Sequence, residues 1–126
     1  MFTIDDVDVS ITVEPEFSPI RGNLIDSGDE NYDQKIEAEI IARLESGDVW
    51  AWCRVKVTVT PKELKYTGNH SGVSYLGGCS YESQEEFEQS DYYIDMIDWA
   101  LEDLNNNSKV IYEVLKDKFS GTLSIK

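Results

Sequence analysis

The chain is short of the residues that build metal sites and covalent staples. Its 126 residues include two cysteines, one histidine and three prolines. Two Cys and one His cannot fill a closed four-ligand zinc site of the Cys/His type. Without a secretory leader, two Cys read as reduced thiols. Positive charge is also scarce: 11 Lys and Arg stand against 25 Asp and Glu, a net charge of −14. Nucleic acid and anionic lipid attract cations, so neither is expected as a direct partner. No apolar run approaches the ~20 residues of a membrane span. Met1-Phe2-Thr3-Ile4-Asp5-Asp6 lacks the basic and apolar segments of a secretory signal. A cytoplasmic location is expected. No G-x-S-x-G, Walker or zinc spacing occurs, and no catalytic residue, metal or cofactor is assigned.

What remains is a globular composition with one unusual number. At about 100–200 residues per domain, residues 1–126 make a single domain, large enough to bury about two-thirds of its unfolded surface. A content of 40% hydrophobic and 11% aromatic residues argues against disorder. A small domain tuned for solubility carries a net charge of about 2–8 in magnitude, and this chain exceeds that. Its acids are unevenly placed. Residues 66–108 hold Glu82, Glu85, Glu86, Glu88, Asp91, Asp95, Asp98, Glu102 and Asp103 with no Lys or Arg. Bases gather at Arg54, Lys56, Lys62 and Lys65 and again at Lys109, Lys116, Lys118 and Lys126. A polarised surface with one strongly negative region follows.

The hydrophobic pattern predicts an α+β fold, a small, mostly antiparallel sheet of about three to four strands against about three to four helices on one face. Val7, Val9, Ile11 and Val13 alternate with polar residues as a half-buried strand, ended by Pro15 and Pro19. Arg21 to Asp29 reads as a loop. Tyr32, Ile36, Ile40 and Leu44 predict an amphipathic helix over 30–45, stopped by Ser46-Gly47-Asp48. Residues 49–60 read as a central strand, apolar on both faces through Trp50 and Trp52 and ended by Pro61. After a polar loop (Gly68-Asn69-His70-Ser71-Gly72), residues 73–80 read as a second strand. Pairing Thr60 with Gly72 would set Cys53 opposite Cys79. Gly77-Gly78 reads as a break or bulge. Ser83 and Glu86 fit a capping box for a short helix through Gln89. A longer helix runs from Ser90 or Asp91 to Leu104, with Tyr93, Ile97, Ala100, Leu101 and Leu104 buried. Asn105-Asn106-Asn107 is expected to break it. Ser108 would then start a third piece, with Val110, Ile111, Val114 and Leu115 at helical spacing, ended by Gly121. Thr122–Ile125 would add a short strand or a tail.

The helix after Asp91 carries the strongest functional signal. Asp91, Asp95, Asp98 and Glu102 fall at i, i+4, i+7 and i+11, so their carboxylates share one face. Successive acids lie about one turn, roughly 5.4 Å, apart along the axis. DNA presents a negative charge every ~3.4 Å per strand, so the row is comparable though sparser. Glu82, Glu85, Glu86 and Glu88 add to it. Like charges at i, i+4 cost a few tenths of a kcal/mol each, and no Lys relieves them here. Tyr92 and Trp99, seven apart, sit beside the row as an exposed aromatic pair. These ten residues are the candidate partner-binding set. Asp26, Gly28, Glu30, Tyr32, Gln34 and Glu37 approach the spacing of a calcium loop. They depart from it at the third position, Gly28, the sixth, Asn31, and the eighth, Asp33, so calcium binding is not expected. His70, in a polar loop, is read as a loop residue rather than a base.

The runs Val49-Trp50-Ala51-Trp52-Cys53, Tyr75-Leu76-Gly77-Gly78-Cys79-Ser80-Tyr81 and Tyr92-Tyr93-Ile94-Asp95-Met96 resemble small uncharacterised acidic proteins carried by bacteriophages and prophages. The resemblance covers residues 49–104, about half of the chain. It implies provenance, and with it a host bacterial cytoplasm, but assigns no role to any residue. Small acidic phage proteins are often antagonists of host defence. Several antirestriction and anti-CRISPR proteins work by presenting a DNA-like acidic surface. The first expectation is therefore a non-enzymatic inhibitor whose acidic face docks a basic nucleic-acid-binding host protein. A second is a protein-interaction module using an aromatic sheet patch anchored by Trp50 and Trp52. A third is an enzyme with a carboxylate-held metal ion. No sequence feature decides the oligomeric state, and a dimer stays open.

Overall fold

The structure is a computed structural model that describes residues 1–64 and 70–124. Three strands, β1 (Val7–Pro15), β2 (Cys53–Pro61) and β3 (Gly72–Cys79), form one antiparallel sheet in the order β1-β2-β3. Three helices, α1 (Glu30–Glu45), α2 (Gln84–Glu88) and α3 (Asp91–Ser124), complete an α+β fold. The central strand shows why the sheet has two unlike faces. Cys53, Val55, Val57 and Val59 are fully buried, while Arg54, Lys56, Thr58 and Thr60 look outward. Period-two alternation over nine residues leaves no other arrangement.

α3 lies over β3 and β2 on the inner face. It approaches β3 closely because position 72 is glycine: a Cβ there would stand 2.1 Å from the Ala100 carbonyl oxygen. Met96, Ala100 and Leu104 face the strands and are completely buried with Phe87. Ser74, buried on β3, donates to the Met96 carbonyl at 2.7 Å. α1 stands apart from this layer. It packs on the 3-10 turn Val49–Ala51 at one end of the sheet, where Ile40, Ala51, Trp52 and Ile20 make a second small core.

Several expectations hold to the residue. α1 begins at Glu30, capped by the Asp29 carboxylate, which accepts from the Asn31 and Tyr32 N–H groups. It ends in a Schellman turn, with Asp48 N–H bonded to the Arg43 carbonyl, Gly47 N–H to that of Leu44, and Gly47 at φ +93. Cys53 does face Cys79, though by a different route. Val59, not Thr60, pairs with Gly72, and a bulge at Gly77-Gly78, with Gly78 at φ +65, restores the offset before the cysteines meet.

Three expectations are corrected. Residues 49–51 are a 3-10 turn rather than strand, because the Asp48 side chain accepts from the Trp50 N–H at 3.2 Å and starts a turn there. Trp50 and Trp52 therefore do not form a patch on the sheet. Trp52 is 2% exposed with its indole N–H on the Ser18 carbonyl, and Trp50 packs edge-on to Tyr81 and tilted against Phe87. Third, Asn105-Asn106-Asn107 does not break the helix, and neither Ser108 nor Gly121 bounds one. α3 continues through them to Ser124, so Thr122–Ser124 are helical. Asn105 spends its amide on another segment, accepting from the Phe2 N–H at 2.8 Å and donating to the Phe2 carbonyl at 3.0 Å. It cannot then compete with its own helix backbone. Ser108 donates to the Leu104 carbonyl one turn back at 2.7 Å. Gly68, Asn69 and Ile125 lie outside the described residues.

Candidate protein-docking surface

The acidic turn is positioned from below by aromatic packing. Phe87, fully buried, meets Trp50, Tyr81 and Tyr93 at ring-centroid distances of 5.7, 5.3 and 5.4 Å. Burying those rings turns the polar side of α2 outward. Ser83 caps it, its Oγ accepting from the Glu86 N–H at 3.3 Å, while the Glu86 carboxylate reaches back to the Glu82 N–H at 3.1 Å. α3 follows after Ser90. Because Met96, Ala100 and Leu104 seat on the sheet, Asp91, Asp95, Asp98 and Glu102 must point to solvent.

All ten sequence-predicted residues are exposed: Glu82, Glu85, Glu86, Glu88, Asp91, Asp95, Asp98 and Glu102, with Tyr92 52% and Trp99 46% exposed. Asp91 to Glu102 spans about 16 Å of helix axis at 1.5 Å per residue. Among the described residues, only Glu82 of these eight acids has a cation at ion-pair distance, Arg43 at 4.0 Å. The other basic partners are engaged elsewhere: Arg21 with Glu30 and Glu37, Arg43 chiefly with Asp48, Arg54 with Glu14. Asp103, ninth acid of the run, sits apart from the row and accepts from the Val73 N–H on β3 at 2.9 Å.

The unbroken helix also shows what sequence reasoning missed. Lys109 and Lys116 fall seven and fourteen residues after Glu102, so they continue the same face and bound the acidic row. The break expected at Asn105 hid that continuity. Beyond Ser108, Val110, Ile111, Tyr112, Val114, Leu115 and Phe119 are all exposed, from 46% to 64%. Their helical spacing was visible in the chain, but it reads equally as a buried stripe.

Other candidate chemistry resolves into structural roles. His70 Nε2 lies 2.7 Å from Ser108 Oγ. The Ser108 hydroxyl also lies 2.7 Å from the Leu104 carbonyl one turn back. His70 also lies against the Phe2 ring at 6.3 Å. In the calcium-like segment, Asp29 is spent as the α1 cap and buried Asp33 accepts from the Ser27 hydroxyl at 2.5 Å. Both cysteines are free and buried. Burial pushes the Cys53 thiol up to about 12 and the Cys79 thiol up to about 11, so neither is a nucleophile near neutral pH. Among the described residues, no helix is long and apolar enough to cross a membrane. Comparison with protein-family models, with curated proteins and with solved structures finds no match to this chain.

Proposed function

We propose that the chain is a non-enzymatic inhibitor from a phage or other mobile element. Its α2–α3 face acts as a DNA mimic against the basic nucleic-acid-binding groove of a host defence protein, of the kind used in CRISPR or restriction immunity. One observation carries the reading: seven of the eight exposed carboxylates on α2, the turn before it and the first half of α3 have no cation at ion-pair distance among the described residues. Unpaired charge of one sign on a rigid support speeds and orients docking to the opposite sign. Tyr92 and Trp99 beside the row supply the apolar contact that anchors an interface.

The test is retention from a bacterial lysate at low and at high salt, with bound proteins identified by mass spectrometry. A nucleic-acid-binding protein retained at low salt, and released by added DNA, is the expected result. Replacing Asp91, Asp95 and Asp98 by Asn and Glu102 by Gln should weaken its binding by about 100-fold or more while the domain stays folded. Unchanged binding by that variant sinks the proposal. A melting temperature raised by calcium, magnesium or manganese in a concentration-dependent way, and not by salt alone, would move the weight to a carboxylate–metal enzyme.

A further inference from the structure

The second half of α3 is largely exposed. Ser108 meets His70 at 2.7 Å, and beyond it residues 109–119 are exposed. The helix runs on to Ser124, about 24 Å past that point. An isolated helix of this length is marginal in water, and β-branched Val110, Ile111 and Val114 make it poorer still. The apolar side chains of this half, Val110 to Phe119, are left 46% to 64% exposed in a single copy.

The body has a matching gap. α3 covers β3 and β2, which leaves Val9, Ile11 and Val13 on the inner face of β1 only half-buried. The flank of α3 on that side is marked by Asn105, bound to Phe2 ahead of β1. Ile94, 61% exposed, belongs to this flank, with half-buried Ile97 and Leu101. Ile94 and Leu101 stand seven apart with Ile97 between them, and Ile111 and Leu115 continue the same side of the helix beyond Ser108.

We propose that a second copy of this chain closes both gaps. Two α3 helices pack antiparallel about a two-fold axis near Asn105, and the overhanging half of each covers Ile94, Ile97, Leu101 and the inner face of β1 of the other. Charge selects this occupant and this direction. From Asp91 to Asp103 the helix carries five acids and no base, whereas Lys109 and Lys116 stand on the same flank further along. Antiparallel packing about this axis puts each Lys109 beside the partner's Glu102 and each Lys116 beside the partner's Asp95; parallel packing would set acids against acids. Ile111, Tyr112, Leu115 and Phe119, each 46% to 64% exposed, share one side of this half, so a single partner helix can cover them together. A groove of about 410 Å³ bordered by Met1, Asn105 and Tyr112 lies at the crossing point and gives the partner's side chains room to seat. The contact is isologous, so it closes at two copies.

Sedimentation equilibrium of the full chain at micromolar concentration tests this directly. A particle of twice the 14.4 kDa chain mass is expected, and a monomer overturns the proposal. Leu115→Asp should raise the dimer dissociation constant at least 100-fold. Leu115 is exposed in the single copy, so the near-ultraviolet signal of the buried tryptophans should persist while some helix signal is lost. Lys116→Glu should weaken the dimer about tenfold, and adding Asp95→Lys to it should restore the affinity; an unaltered Lys116→Glu dimer overturns the antiparallel pairing. Spin labels on Asp117→Cys should lie about 35 Å apart, from 1.5 Å per residue on either side of the axis. A separation under about 20 Å would mean parallel helices and would also overturn it.

Discussion

At the scale of single residues, one glycine sets how close helix and sheet can come. Nothing but hydrogen fits at position 72, where a Cβ would meet the Ala100 carbonyl oxygen at 2.1 Å and Leu104 N and Cβ at 2.6 and 2.7 Å. These atoms belong mostly to backbone and cannot rotate away. Gly72→Ala should therefore cost about 3 kcal/mol or more, read from urea denaturation; a loss under about 0.5 kcal/mol would mean that α3 can lift freely. The cysteines make a second residue-scale prediction. Burial holds both thiols protonated to about pH 11–12, while the unfolded chain releases those protons near the ordinary thiol value of 9.0. Raised folded values mean stability that is complete below about pH 9 and lost as pH climbs through 11 to 12. Native protein at pH 8 should react with a thiol reagent only as fast as it unfolds, and both cysteines should react at once in denaturant. Fast labelling of the folded protein would show an accessible thiolate. The adjacency of Cys53 and Cys79 was legible in the chain, but the bulge that produces it was only half so. Gly77-Gly78 announces an irregularity, and only the ladder shows that it absorbs one residue.

At the scale of elements, local signals were most reliable where the capping chemistry is local. Asp29 and Gly47 bound α1 at the expected residues because a carboxylate and a positive-φ glycine act within one turn. The same logic misplaced the end of α3. Three consecutive asparagines are poor helix formers, yet Asn105 lies in helix because Phe2, 103 residues earlier, takes both ends of its amide. Asn105→Ala keeps the helix and loses both bonds, so it should cost about 1–2 kcal/mol and release the N-terminal segment. Amide exchange at Phe2 would report the release, and unchanged protection there would refute the tether. Trp52 failed as a surface anchor for a related reason. A turn begun by Asp48 rotates the segment out of the strand and delivers the indole to the second core.

At the scale of the whole molecule, charge outweighs every other feature. A chain of net charge −14 repels itself in the compact state, and the unpaired acids on α2 and α3 concentrate that repulsion. Salt shortens the screening length from about 30 Å at 0.01 M to about 3 Å at 1 M. The melting temperature should therefore rise by a few degrees, about 1 kcal/mol, between low and high sodium chloride. A melting temperature that falls with salt would mean that the few ion pairs of Arg21, Arg43 and Arg54 outweigh the repulsion. The dimer predicts a concentration dependence as well, since association stabilises the folded copies by mass action.

The sequence alone determined the three strands apart from the start of β2, together with α1, the start of α3, and the exposure of Tyr92, Trp99 and the acidic row. All of these follow from periodicity and from groups that act within a turn or along one strand. Only the tertiary structure decided that α3 runs unbroken past Asn105, that Trp50 and Trp52 are core, and that the apolar stripe beyond Ser108 stands uncovered. In each case the deciding partner is distant in sequence: Phe2 for Asn105, Ser18 for Trp52, and for the stripe a sheet that ends before the helix does. A pattern of apolar residues states that a face wants burial; where that face meets a surface is a property of the assembled fold.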